Sequence, residues 1–289
     1  MPESFHSDNV AVNWSVILTA PKMNTPENPA PPPAPPPLLL QAVEASAPPR
    51  LPWGFWATGG LGAVLICAYM TAQVIALVLY MVGALVLRGG KSFPSLEALT
   101  TNGTVFSLSV ILGGPVTILL CGLFAWLRKG PAIPSYLGLY WPKPRVVVWW
   151  SLGLLLLWAG SDALTLALDR PVVPDVMAEI YWNTGFRPFI WITLIIAGPA
   201  TEEFVFRGFL FRGWQESRLG GWGTIFLTSL LWAVIHLQYD LYGIASIFVA
   251  GLFLGLVRLK TGSVLFCTFL HSVINLIATI QIEFFTTPA

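Results

Sequence analysis

Charge is what this sequence has least of: only 10% of its 289 residues are Asp, Glu, Lys or Arg, against roughly 25% in a soluble domain. With 55% hydrophobic residues and a mean hydropathy of +0.72, the chain has too little polar surface to cover a water-soluble globule. Its solvent is a bilayer. The formal net charge is +1 and the basic residues are scattered between apolar runs, which argues against a nucleic-acid partner. Cysteine is nearly absent as well. Cys67, Cys121 and Cys267 each lie in an apolar stretch without metal-ligand spacing, so they read as reduced packing residues rather than a disulfide framework or a zinc site. No HExxH occurs, and with it the strongest sequence sign of a zinc protease is missing.

What is abundant is proline near the start and long apolar runs after it. Residues 1–50 contain "PENPAPPPAPPPLLLQAVEASAPPR"; proline donates no backbone hydrogen bond and favours an extended conformation. This segment is expected to be a disordered proline-rich tail, dispensable for folding of the membrane domain over 51–289. The short apolar stretch "VNWSVILTA" has no basic segment before it and is interrupted by Asn13, so it does not read as a signal peptide.

A bilayer core needs about 20 mostly apolar helical residues. Such stretches fall near 57–87, 104–127, 146–168, 189–211, 222–239, 241–258 and 262–282. The expected fold is therefore all-α, a polytopic bundle of about seven transmembrane helices. No charge occurs from Leu51 to Leu87 or from Ala98 to Leu127, which makes the first two spans firm. The fifth and sixth abut at "HLQYDLYG", where Asp240 and Gly243 suit a tight turn but leave both helices short. With the N-terminus inside, eleven basic residues fall on the cytoplasmic side (Lys22, Arg50, Arg128, Lys129, Lys143, Arg145, Arg207, Arg212, Arg218, Arg258 and Lys260). Four fall outside (Arg88, Lys91, Arg170 and Arg187). The bias predicts a cytoplasmic N-terminus and an external C-terminus.

Against this background "PATEEFVFRGFL", residues 199–210, stands out. An ionisable residue inside a membrane helix costs a few kcal/mol or more, about 2.5 to 3.5 on insertion scales, and by default faces the bundle interior with a partner. Glu203 and Arg207 are four apart with the acid N-terminal, the favourable order for a pair on one helix face. Glu202 lies about 100° round the helix, away from that pair. Two of the three histidines, His236 in "WAVIHL" and His271 in "HSVIN", also lie in apolar stretches expected to be helical, and Asn275 sits one turn after His271. If the fourth and fifth spans form a hairpin at Gly220, Glu203 and His236 are level, 17 residues before and 16 after the turn. Counted from Arg212 and Thr261, Glu203 and His271 lie nine and ten residues deep, roughly 14 to 15 Å. A carboxylate, two imidazoles and an amide can then meet in one buried plane. Taken singly, each has a structural reading: a neutralised ion pair, a packed histidine, a hydrogen-bonded amide. Asp162 is a further buried acid, which reads as a helix contact.

The residues also resemble a family. "EEFVFR" matches EExxxR, "WAVIH" approximates FxxxH and "HSVIN" matches HxxxN, the motifs of the CPBP (Abi-like) intramembrane proteases. These include the type II CAAX prenyl proteases and bacteriocin-processing relatives. The resemblance covers roughly 185–282; Trp232 stands where the family has phenylalanine. It implies an intramembrane endopeptidase of a prokaryotic cell membrane, acting on a membrane-associated peptide or protein. In it Glu202 would be general base, His236 would orient or activate water, and His271 and Asn275 would stabilise the oxyanion. Glu203 and Arg207 would hold charge balance. Glu202, His236 and His271 would also suit a zinc ion with an open position, so a metallo-mechanism stands beside a glutamate-dependent one. Two other readings are a non-catalytic scaffold or immunity protein of the same fold, and a proton-coupled transporter. The transporter is disfavoured because neither internal repeats nor broken helices are legible.

Overall fold

The computed structural model describes residues 52–87, 95 and 99–288; the expected tail lies outside the described residues. Lipid offers no hydrogen bonds, so the backbone must satisfy its own donors and acceptors within helices. The described residues are accordingly helical, with no strand among them.

Helix α1 (Phe55–Leu87) is followed by α2 (Gly103–Leu127). Asn102 caps α2, accepting from Thr104 and Val105 amides at 3.0 Å each; its own amide donates to Tyr80 Oη at 3.0 Å and ties α2 to the end of α1. Short α3 (Ile133–Leu137) precedes α4 (Pro144–Ala167) and α5 (Asp175–Trp182). The long α6 runs Arg187–Gln215, followed by α7 (Gly220–Val234), α8 (Leu241–Thr261) and α9 (Val264–Phe285). Asp240 caps α8 by accepting from Gly243 N at 2.9 Å, so the "HLQYDLYG" turn forms where the sequence places it.

The loop after α3 is stapled to the turn between α8 and α9. Gly138, in the left-handed region at φ +80°, would place a Cβ 2.3 Å from Gly262 O. Only glycine fits there. Its carbonyl accepts from Val264 N at 2.9 Å, and Ser263 Oγ donates to Tyr140 O. Trp53 donates to Phe124 O at 2.9 Å and Trp214 to Phe55 O at 3.1 Å. These contacts gather the start of α1, the ends of α2, α6 and α8, and the start of α9 at one end of the bundle. The opposite end is closed by Arg170 with Asp240, by Tyr181 with Glu283 at 2.5 Å, and by Trp182 with Thr286 at 2.8 Å. Among the described residues, Arg128, Lys129, Lys143, Arg145, Arg212, Arg218, Arg258 and Lys260 belong to the first end, Arg170 and Arg187 to the second.

Six of these helices are long and apolar enough to cross a membrane. The seventh expected span is different. Helix α7 has 15 residues, about 22 Å against a hydrocarbon core of about 30 Å. The chain from Gly220 to Asp240 still runs from the basic end to the other, because the turn after α7 supplies the missing length. The core between α2, α6, α8 and α9 is aromatic and aliphatic, with Phe209, Tyr136, Leu254, Phe266 and Leu270 fully buried.

Candidate active site

The helix carrying the acidic pair is not uniformly α-helical. Thr193–Ala197 and Phe204–Leu210 are π-helical turns flanking the α-helical Gly198–Glu203. A local cause lies in "GPATEE". Gly198 N–H reaches back five residues to Thr193 O, and the donor that would serve Leu194 O in the same register belongs to Pro199, which has no N–H. Asn275 Nδ2, from α9, fills that gap at 2.7 Å. In the second π-turn Phe211 N–H goes to Phe206 O, and Arg207 O accepts from Arg258 Nε of α8 at 2.6 Å. Helices α8 and α9 thus fix the wide turns on either side of the acidic pair, and π-turns of this kind recur at functional sites.

Between those turns the two glutamates face different neighbours. Glu203 is fully buried and its Oε1 accepts from Arg207 Nη1 at 2.9 Å, as the i, i+4 spacing predicts. The same oxygen lies 3.0 Å from His271 Nδ1. A carboxylate beside an N–H site accepts, so Nδ1 carries the proton and the lone pair of a neutral His271 is on Nε2. Arg207, also fully buried, donates its Nη2 to Gly251 O at 3.2 Å. Glu202 turns toward α7, where Trp232 Nε1 donates to its Oε2 at 2.5 Å.

His236 is not within a helix. It lies two residues past the end of α7, and its Nδ1 is 2.7 Å from Trp232 O. A histidine can satisfy one of the last carbonyls of a helix, and since a carbonyl only accepts, Nδ1 again carries the proton. The four residues expected to act together, Glu202, His236, His271 and Asn275, all line one cavity of about 1350 Å³. Tyr69, Gln73 and Tyr239 line it too. Asp162 lines its far wall and accepts from Gln281 Nε2 at 2.6 Å, a partner that span counting did not reveal.

Both histidines in neutral form would offer Nε2 to a cation, so the donor chemistry suits zinc. The placement does not: among the described residues no three His, Cys, Asp or Glu side chains form a ligand set.

Residues 184–277 match the family described as type II CAAX prenyl endopeptidase Rce1-like. This stretch of the membrane domain is similar to the Rce1-like family. The matched region spans α6 through most of α9 and contains every residue of the acidic pair, the two histidines and Asn275. An "Uncharacterized 24.3 kDa protein" of Escherichia coli is 26% identical over 204 residues, covering 69% of this chain and 92% of the relative. No solved structure matches. The similarity of residues 184–277 to the Rce1-like family stands beside six apolar helices long enough to cross a bilayer, and the latter make this an integral membrane protein.

Sequence reasoning missed three features of the site: the acceptor for His271, the carbonyl under Asn275, and the donor to Glu202. Pro199 and Trp232 were the available signals, one a missing N–H and the other an extra one.

Proposed function

We propose that this protein is a glutamate-dependent intramembrane endopeptidase. The observation that carries the proposal is the convergence of Glu202, His236, His271 and Asn275 on one cavity within the Rce1-like core. Glu202 takes a proton from a water molecule, which attacks the peptide carbonyl, and returns it to the leaving amine. Trp232 occupies Oε2, leaving Oε1 for the water. His236, with Nδ1 held on Trp232 O, offers Nε2 as acceptor for the second water proton. For the oxyanion, Asn275 keeps a second amide N–H after the one spent on Leu194, and His271 donates from Nε2 when it carries both ring protons. Glu203 then does more than balance Arg207: it sets the orientation of His271.

The substrate we propose is a membrane-associated peptide, C-terminal CAAX-type or leader, entering the cavity from the bilayer. The basic end of the bundle faces the cytoplasm, with the N-terminus inside, in the cell membrane of a prokaryote. Purified protein in detergent, offered both peptide types, is expected to cleave one of them, with cleavage lost in Glu202→Ala. A Glu202→Ala variant that cleaves like the parent removes Glu202 as the base.

A further inference from the structure

The residue that departs from the family pattern sits at the centre of the site. Trp232 is 4% exposed and touches Glu202, Arg207, His236 and His271. Its indole N–H donates to Glu202 Oε2 at 2.5 Å. The Arg207 guanidinium lies over its ring, 4.6 Å from the centroid. His271 and His236 meet it edge to face at 5.1 and 5.6 Å. Room for the bicyclic ring comes from α8: a Cβ on Gly251 would lie 3.1 Å from Trp232 Cε3 and 2.9 Å from Ser229 Cβ.

We infer that Trp232 is the positioning residue of the Glu202 carboxylate. Among the described residues it is the only hydrogen-bond partner of Glu202. Without it, the side chain would rotate freely at the edge of a large cavity, and the acceptor oxygen would no longer be held at one place relative to His236. The same residue also places His236, whose Nδ1 rests on the Trp232 carbonyl. One residue therefore sets the distance between the base and the imidazole that shares its water. Phenylalanine, the residue of the family pattern, has the aromatic face for Arg207 and the edge contacts but no donor. In this chain the base is oriented by an indole, and the small Gly251 of the facing helix leaves room for it. Misplacing a reacting group by about 1 Å costs up to about 10²-fold in rate, and the loss is expected on turnover because the indole N–H is spent on the Glu202 carboxylate.

The inference rests on Glu202 being the base, so its test carries one readout that needs no turnover. Indole-¹⁵N-labelled protein in detergent is compared with Trp232→Phe, which identifies the Trp232 N–H signal by its disappearance, and with Glu202→Ala. The Trp232 signal is expected to lie downfield in the parent and to move upfield in Glu202→Ala. A signal that ignores Glu202→Ala overturns the contact and with it the inference, whatever the enzyme does. In kinetics, Trp232→Phe is expected to lower kcat about tenfold, equivalent to about 1.4 kcal/mol, with KM within twofold of the parent. Benzothienylalanine at position 232, which keeps the two fused rings and deletes only the donor, is expected to do the same without lowering the melting temperature. Parental kcat in the benzothienylalanine protein overturns the role. Cleavage that persists in Glu202→Gln instead defeats the glutamate mechanism, and leaves the indole contact standing or falling on the spectrum alone.

Discussion

Replacing each glutamate of the pair by glutamine separates a charge that acts from a charge that holds the fold. In the fully buried Glu203, Oε1 accepts from both Arg207 at 2.9 Å and His271 at 3.0 Å. Glutamine there keeps the shape but removes the negative charge, and Arg207, itself fully buried, is left with neutral acceptors and the Trp232 face but no counter-charge. Breaking a buried pair in this way costs about 3 to 5 kcal/mol. For a domain of this size that is a fall of roughly 6 to 20 °C in Tm. Cleavage should fall with it, since a neutral amide oxygen shared with Arg207 holds His271 less firmly than the carboxylate does. Glu202→Gln is a different perturbation. Its amide oxygen can still accept from Trp232, so the loss is the difference between a charged and a neutral hydrogen bond, about 1 kcal/mol. Cleavage should nevertheless vanish, because the proton acceptor is gone. Adding Arg207→Met to Glu203→Gln removes the stranded charge and should recover at least half of the lost Tm; no such rescue applies to Glu202→Gln. The assays are thermal melting in detergent and peptide cleavage of each variant. Parental stability in Glu203→Gln, or normal cleavage by Glu202→Gln, would refute the division of roles.

Three further outcomes are expected. Asn275→Ala orphans Leu194 O and should cost about 1 to 3 kcal/mol; Pro199→Ala, which restores a backbone N–H to that turn, should regain part of it in the double variant, and an unchanged Tm in Asn275→Ala would show that the carbonyl finds another donor. Dialysis against a strong zinc chelator should leave cleavage unchanged, and loss that zinc alone restores would move water activation from Glu202 to a metal. Reporter fusions after Lys22 and after Ala289 should report opposite sides of the membrane, the first cytoplasmic; the same side for both would mean that α7 does not complete a crossing.

By itself the sequence determined the solvent and, through it, the helices. A chain with no charge from Leu51 to Leu87 has nowhere to be but in lipid, and in lipid a backbone has to satisfy itself as helix. The Glu203–Arg207 pair was legible for the same kind of reason, since a four-residue spacing fixes a shared face without reference to any other element. The tertiary structure decided what local periodicity cannot carry. His271 finds Glu203 across 68 residues, and Asn275 finds Leu194 across 81, because α9 packs against two wide turns whose existence depends on hydrogen-bond register rather than on hydrophobicity. The apolar pattern continued α7 through His236, but the helix ends before it, with the imidazole on the Trp232 carbonyl. Trp232 itself read as one aromatic standing in for another. Its meaning lay in one N–H and its direction, and a direction is set only when α6, α7 and α8 close around the same point.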